Sequence, residues 1–136
     1  MRRTAQRGFT LVELMIVVVI IGIIAAFGYP AYTEQVRNTR LSSMQGALME
    51  TAAALETYRA QRFTYTGADG VLTMPSDQFY DVELTIPAGG ASYQILAKPK
   101  GSMAGSGTLG LDSQNRTCRN TASDTACTFG TDPSWK

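Results

Sequence analysis

Twenty consecutive residues, Leu14 to Thr33, carry no charge, and the apolar run they extend begins at Phe9 (FTLVELMIVVVIIGIIAAF, ending at Phe27). Twenty is about the number of residues a helix needs to cross a bilayer core of ~30 Å. Arg2, Arg3 and Arg7 precede the run with no acid among them. Positive flanks stay on the cytoplasmic side, so residues 1–8 are expected in the cytoplasm and everything after Thr33 is sent outward. The whole chain has twelve Lys and Arg against eleven Asp and Glu, a formal net charge of +1. Set the three leading arginines aside and the balance is nine bases to eleven acids. That is too little positive charge for a strongly basic nucleic-acid binder. The 136 residues contain no His. The commonest general base, the commonest metal ligand and every Ser-His or Cys-His pair are therefore missing. Two cysteines fall short of a four-thiolate zinc site. Asp112, Asp124 and Asp132 lack the spacing of a calcium loop. No enzymatic activity, cofactor or metal is expected.

Two ordinary explanations compete for the apolar run. A secretory signal peptide has a shorter apolar stretch and an Ala-x-Ala-like cleavage site after it, and Ala25-Ala26-Phe27-Gly28 is a poor match. A plain membrane anchor accounts for length and orientation but not for Glu13. A carboxylate four residues into the run costs roughly 2.5–3.5 kcal/mol at a helix centre and less near an end. Glu13 either sits at the headgroup level or meets a positive partner inside an assembly.

Arg7-Gly8-Phe9-Thr10-Leu11-Val12-Glu13-Leu14 resembles the class III signal of type IV prepilins and pseudopilins. The likeness is close over Arg7 to Pro30. It rests on a short basic leader, Gly8, Phe9, Glu13 and the uncharged span together. The resemblance implies that a membrane prepilin peptidase cuts between Gly8 and Phe9 and methylates the new amine of Phe9. Gly8, with no side chain, suits an extended scissile segment in a narrow site. The resemblance further implies that Phe9 and Glu13 act in assembly, the amine of one subunit pairing with Glu13 of a neighbour in a core dry of water, where such a pair strengthens and disfavours wrong registers. The chain looks most similar to PilE-type minor pilins. The resemblance thus implies a subunit that waits in the bacterial inner membrane with its head in the periplasm and then enters an extracellular pilus. Other pilins are its filament partners. The assembly platform and cytoplasmic ATPases act on it indirectly, in support of twitching motility, adhesion and DNA uptake.

Beyond the span, apolar residues recur at three- to five-residue intervals: Val36, Leu41, Met44, Leu48, Ala52, Leu55 and Tyr58. One helix is predicted from Phe9 to about Arg62, roughly 80 Å long at 1.5 Å per residue. Residues 9–33 form its membrane or filament-core part and residues 34–62 its amphipathic part. Gly28 and Pro30 predict a bend, since a proline removes one helical hydrogen bond. Residues 63–81 are rich in Gly, Thr, Asp, Pro and Ser and read as a long loop packed by Tyr65, Leu72, Met74 and Phe79. Alternating patterns predict strands over Tyr80 to Ile86, Ser92 to Lys98 and Thr108 to Asp112. A weak fourth is drawn from Thr117 to Cys118 and Cys127 to Phe129. The fold class is α+β: a long N-terminal helix packed on a small antiparallel sheet of three or four strands.

Cys118 and Cys127 enclose an eight-residue polar segment. In an exported chain the oxidising compartment allows them to pair. The alternative is two reactive thiols, with only Arg116 and Arg119 nearby to activate them. The resemblance favours the disulfide, since a C-terminal disulfide bounds a partner-facing loop in many type IV pilins. Lys98, Lys100, Arg116 and Arg119 are the only basic grouping outside the helix. Competence-type pilins bind DNA through such a surface, but four bases make a thin footprint, and a solvated surface is the simpler reading. The remaining alternative within the resemblance is a type II secretion pseudopilin, which the cysteine pair disfavours.

Overall fold

The computed structural model describes residues 8–135. The leader expected over residues 1–8 lies outside them except for Gly8. The chain divides into two compact units, Met1–Asn38 and Thr39–Lys136.

From Leu11 onward the described part of the first unit is helix. Helix α1 spans Leu11–Arg62, so its opening part lies here and its remainder in the second unit. It begins two residues later than predicted because Thr10 acts as the N-cap: its Oγ1 accepts the Glu13 N–H at 3.2 Å. Helical backbone continues through Gly28 and Pro30 without a break. The Thr33 hydroxyl donates back to the Pro30 carbonyl at 2.9 Å.

In the second unit α1 becomes amphipathic. Leu41, Met44, Leu48, Thr51, Leu55 and Tyr58 are buried at alternating steps of three and four, one helical face. Thr51 belongs to this face because its hydroxyl is satisfied by the Ala47 carbonyl at 2.8 Å. The helix ends where Phe63 turns left-handed (φ 59°), its N–H donating to the Arg59 carbonyl at 2.7 Å. Arg59 and Arg62 in the last turn complement the helix dipole.

Residues 64–79 are less featureless than their composition implies. Tyr65 and Ala68 are fully buried, and a short 3-10 turn forms at Ala68–Gly70. Leu72, Met74 and Phe79 pack on the core as expected. The Tyr65 hydroxyl donates to Glu56 at 2.6 Å, and its ring meets Tyr93 edge-on at 4.9 Å. Burial raises the Tyr65 hydroxyl above the ordinary phenol range, and the Glu56 hydrogen bond adds to this. Burial likewise pushes Tyr93 up. Both rings are therefore neutral packing elements.

Four antiparallel strands follow: β1 Tyr80–Thr85, β2 Gln94–Pro99, β3 Thr108–Asp112 and β4 Thr117–Asn120, in the spatial order β1-β2-β3-β4. The third strand has its predicted bounds. The first stops one residue short, and the second starts two residues late and ends one late. The fourth is a correction: it runs on from Thr117 to Asn120, and residues 127–129 are not strand. Asp132 explains the difference, because its carboxylate accepts the Thr128 N–H at 2.6 Å and the chain turns there. The inward row Val82, Ile95, Ala97, Leu109 and Leu111 joins the buried helix face in one core.

Candidate functional site

Two features stand out from this frame: the apolar helix of the first unit and the C-terminal loops of the second.

In the helix, Phe9 is 74% exposed and Ile20 51% exposed, and every residue from Gly8 to Tyr32 is exposed. Leu11, Val12, Met15, Ile16, Val19, Ile23 and Phe27 are all exposed among the described residues. A helix apolar all round demands burial elsewhere, in lipid or among other helices. This is the one helix among the described residues that is long and apolar enough to cross a membrane. Thr10 and Glu13 have the Thr-x-x-Glu spacing of a capping box, of which the Thr10 half is formed. The bond that forms uses the Glu13 backbone N–H, which any residue at this position would supply.

The C-terminal loops are built on the outward face of β3. Thr108, Gly110 and Asp112 lie on that face, yet all are buried, because the tail folds over them. A Cβ at Gly110 would lie 2.5 Å from Cys118 Sγ and 2.9 Å from Phe129 Cζ. Only glycine leaves room for the disulfide and that ring. Cys118 and Cys127 are bonded. The Trp135 indole N–H donates to the Gly110 carbonyl at 3.1 Å, and the Arg119 N–H to the Pro133 carbonyl at 2.7 Å. The tail therefore covers the β4 edge. The three aspartates with no calcium-loop spacing all work as backbone caps here. Asp112, buried, accepts the Gln114 and Arg116 N–H groups and the Arg116 side chain. Asp124 accepts Gly105 and Gly107, and Asp132 accepts Thr128. Sequence reasoning missed them because it weighed only their spacing from one another, not the turn-forming residues beside each. Among the described residues, no three His, Cys, Asp or Glu side chains gather as a metal cluster.

The four bases grouped by sequence do not form one patch. Lys98 lies on the outward face of β2, ion-paired to Glu83. Arg116, at the β3–β4 turn, is held by Asp112 at 2.7 Å. Arg119 stands opposite Leu109, hence on the inward side of the sheet, and donates to the Ser106 carbonyl at 3.3 Å. Lys100 is exposed at the end of β2 and makes no side-chain cap to the 3-10 turn that follows. Beside Arg116, an open cleft of about 280 Å³ is lined by Asn115, Thr117, Gly130, Asp132 and Ser134.

Replacing both cysteines by serine is expected to remove roughly 2–3 kcal/mol, the entropy of a ten-residue ring. For a domain of about 100 residues this lowers the unfolding midpoint by roughly 10–20 °C. Thermal unfolding of detergent-solubilised protein with and without reductant tests it, and an unchanged midpoint refutes it.

Comparison with known proteins adds five findings. Residues 30–122 match the family described as type IV minor pilin ComP, DNA uptake sequence receptor. Residues 3–29 match the prokaryotic N-terminal methylation motif. The chain is 32% identical over 110 residues to type II secretion system core protein G of Pseudomonas aeruginosa, covering 71% of this chain and 78% of that protein. The fold resembles a type IV pilin from Shewanella oneidensis (TM-score 0.54, 22% identity, 68% of this chain and 97% of that one). It also resembles the non-core minor pilin PilV of Neisseria meningitidis (TM-score 0.54, 17% identity, 74% of this chain and 94% of that one).

Proposed function

The chain belongs to the type IV pilin family, and from that premise we propose that it is a minor pilin, held first in the inner membrane and then in the core of a pilus by the same apolar segment. The observation that carries this reading is the helix of the first unit, whose apolar side chains are bare on every face. A filament core of parallel helices from other pilins buries all of those faces at once, as lipid does before assembly. Prepilin peptidase removes residues 1–8 and methylates Phe9, and Glu13 then meets that amine on a neighbour. Gly28 and Pro30 are where the helix bends or extends on packing, because Pro30 donates no backbone N–H and the Thr33 hydroxyl competes for a helix carbonyl. The head lies in the periplasm until export. The platform and ATPases that move the subunit supply the energy. A secretion pseudopilin is the neighbouring reading, supported by the likeness to core protein G. The minor-pilin family match across the head and the stapled C-terminal loop favour the pilus.

The deciding measurement is the N-terminal residue and mass of the protein in sheared surface filaments and, separately, in membranes. The reading predicts mature protein starting at methyl-Phe9 in the filaments, at a small ratio to the principal subunit. Processed protein confined to membranes points to a pseudopilin, and an intact leader in both fractions overturns the proposal.

A second reading, that the head binds DNA, is favoured by the family match over residues 30–122. It reverses the weight that the sparse basic charge gave to a plain solvated surface. Lys98, Lys100, Arg116 and Arg119 are the candidate contacts. With two to four phosphates neutralised, log affinity should fall against log salt with a slope of about −2 to −4. Binding absent at low salt would remove this reading and leave the pilin reading intact.

A further inference from the structure

We propose that the Gly105-Ser106-Gly107 loop is a phosphate-binding nest, kept closed by Asp124, and that a backbone phosphate of DNA takes the place of the Asp124 carboxylate. The inference rests on the DNA-binding reading for its ligand, but on the loop's own geometry for the site.

The Gly105 N–H donates to one carboxylate oxygen of Asp124 at 2.6 Å and the Gly107 N–H to the other at 3.1 Å. Two backbone donors thus converge on a single bidentate anion. Both glycines are left-handed (φ 81° and 86°), and backbone turns of this kind aim nearby amides at a common point. Ser106 between them is nine-tenths buried, and its hydroxyl has no hydrogen-bond partner. Arg119 donates through Nη2 to the Ser106 carbonyl, while its Nε is buried without a partner, and no carboxylate pairs with it among the described residues. The loop therefore sets two backbone amides on one anion, and the three residues that form it also carry a buried hydroxyl whose hydrogen-bonding capacity is unused. A phosphodiester carries the same single charge as the carboxylate and more acceptor oxygens, so it satisfies the same two amides while the displaced Asp124 carboxylate turns to solvent.

Asp124 can leave without dismantling its loop. Ser123 is fixed separately, its carbonyl accepting both the N–H and the hydroxyl of Thr108 at 2.9 Å. Its own hydroxyl accepts the Thr125 and Ala126 N–H groups. The disulfide closes the ring behind it. Asp124 is half-buried and Gly105 exposed, so solvent reaches the site.

The test compares detergent-solubilised full chain with Asp124→Ala, Asp124→Asn, Asp124→Ala/Ser106→Ala and, as a charge-matched control, Asp69→Ala in the exposed 3-10 turn. Intact disulfide by mass and unchanged amide dispersion establish folding, and Asp124→Asn, which keeps an acceptor, covers the case in which the alanine variant misfolds. Inorganic phosphate should shift the Gly105 and Gly107 amide resonances of Asp124→Ala in a saturable way and leave wild type unmoved. Short duplex DNA should bind Asp124→Ala roughly three- to tenfold more tightly than wild type, with a salt slope steeper by about one, the signature of one added phosphate contact. The double variant should lose most of that gain. Absence of the amide shifts, or an equal gain in Asp69→Ala, overturns the nest. Amide shifts with phosphate but no gain for DNA, where wild type does bind DNA, leave the nest and overturn DNA as its source. Failure of every protein to bind DNA removes the DNA reading itself, and the phosphate titration then decides the nest alone.

Discussion

Gly107→Ala should destabilise the head by about 2–5 kcal/mol, the sum of a left-handed backbone cost of roughly 1–2 and an overpacking cost of roughly 1–3. A Cβ there would lie 2.4 Å from the Asn120 carbonyl oxygen and 2.6 Å from Thr121 Cα. These are backbone atoms, and they cannot swing aside. Thr108 pairs with Asn120 in the β3–β4 ladder, and Cys118 pins the same strand to Cys127. Relief therefore requires opening β4 or the stapled ring. The comparison that isolates the cause is Gly105→Ala. Gly105 has nearly the same φ, yet an added Cβ meets nothing within 4 Å. It should cost only the backbone preference, about 1–2 kcal/mol. Thermal midpoints in detergent should fall by roughly 10–30 °C for Gly107→Ala and by less than half of that for Gly105→Ala. Equal losses would mean that backbone preference alone matters and that the close approach to Asn120 is relieved at no cost.

That contrast also marks where sequence reasoning stops. Helix α1 was legible because its burial pattern is local: Leu41, Met44, Leu48, Leu55 and Tyr58 recur with the helical period, and only Thr51 was hidden behind a hydroxyl that bonds back to Ala47. The inward strand rows were legible for the same reason. What covers the outward face of β3 was not. Thr108, Gly110 and Asp112 alternate with leucines as though they faced water, but a tail some twenty residues later folds over them. No periodicity carries that information. The basic grouping failed similarly. Lys98, Lys100, Arg116 and Arg119 are near in sequence, but Lys98 is on the outward face, Arg119 on the inward one, and carboxylates already hold Lys98 and Arg116. Asp124 was visible only as a scattered acid. Its meaning depends on two glycine amides seventeen and nineteen residues earlier. The apolar helix is the opposite case. Its apolar character needed no tertiary knowledge, because an uncharged run of this length is apolar on every helical face.

Glu13→Gln should leave the protein processed and membrane-bound, yet reduce its entry into filaments at least tenfold. The proposed assembly role of Glu13 and a capping role at the helix start separate at this substitution. As the fourth residue of Thr10-x-x-Glu13 it sits where a capping box places its acid, and its own N–H is capped by Thr10. Glutamine serves that box as well as glutamate does, so a helix start of normal stability is retained. What glutamine lacks is the charge. In lipid the loss is favourable, because an exposed carboxylate in the first turn of an otherwise apolar helix costs free energy there. A plain anchor therefore tolerates Glu13→Gln or gains from it. In a filament core built as proposed above, the loss would leave the methylated amine of Phe9 on a neighbouring helix without its counter-ion. Removing one partner of a buried pair costs about 3–5 kcal/mol, which amounts to more than a hundredfold in equilibrium occupancy. Tenfold is therefore a conservative floor. The measurement is the ratio of mature protein in sheared filaments to that in membranes, for wild type, Glu13→Gln and Glu13→Ala. A fall shared by both variants assigns the effect to charge. A fall in Glu13→Ala alone assigns it to helix capping, and unchanged ratios in both would show that Glu13 lies at the headgroup level and takes no part in assembly.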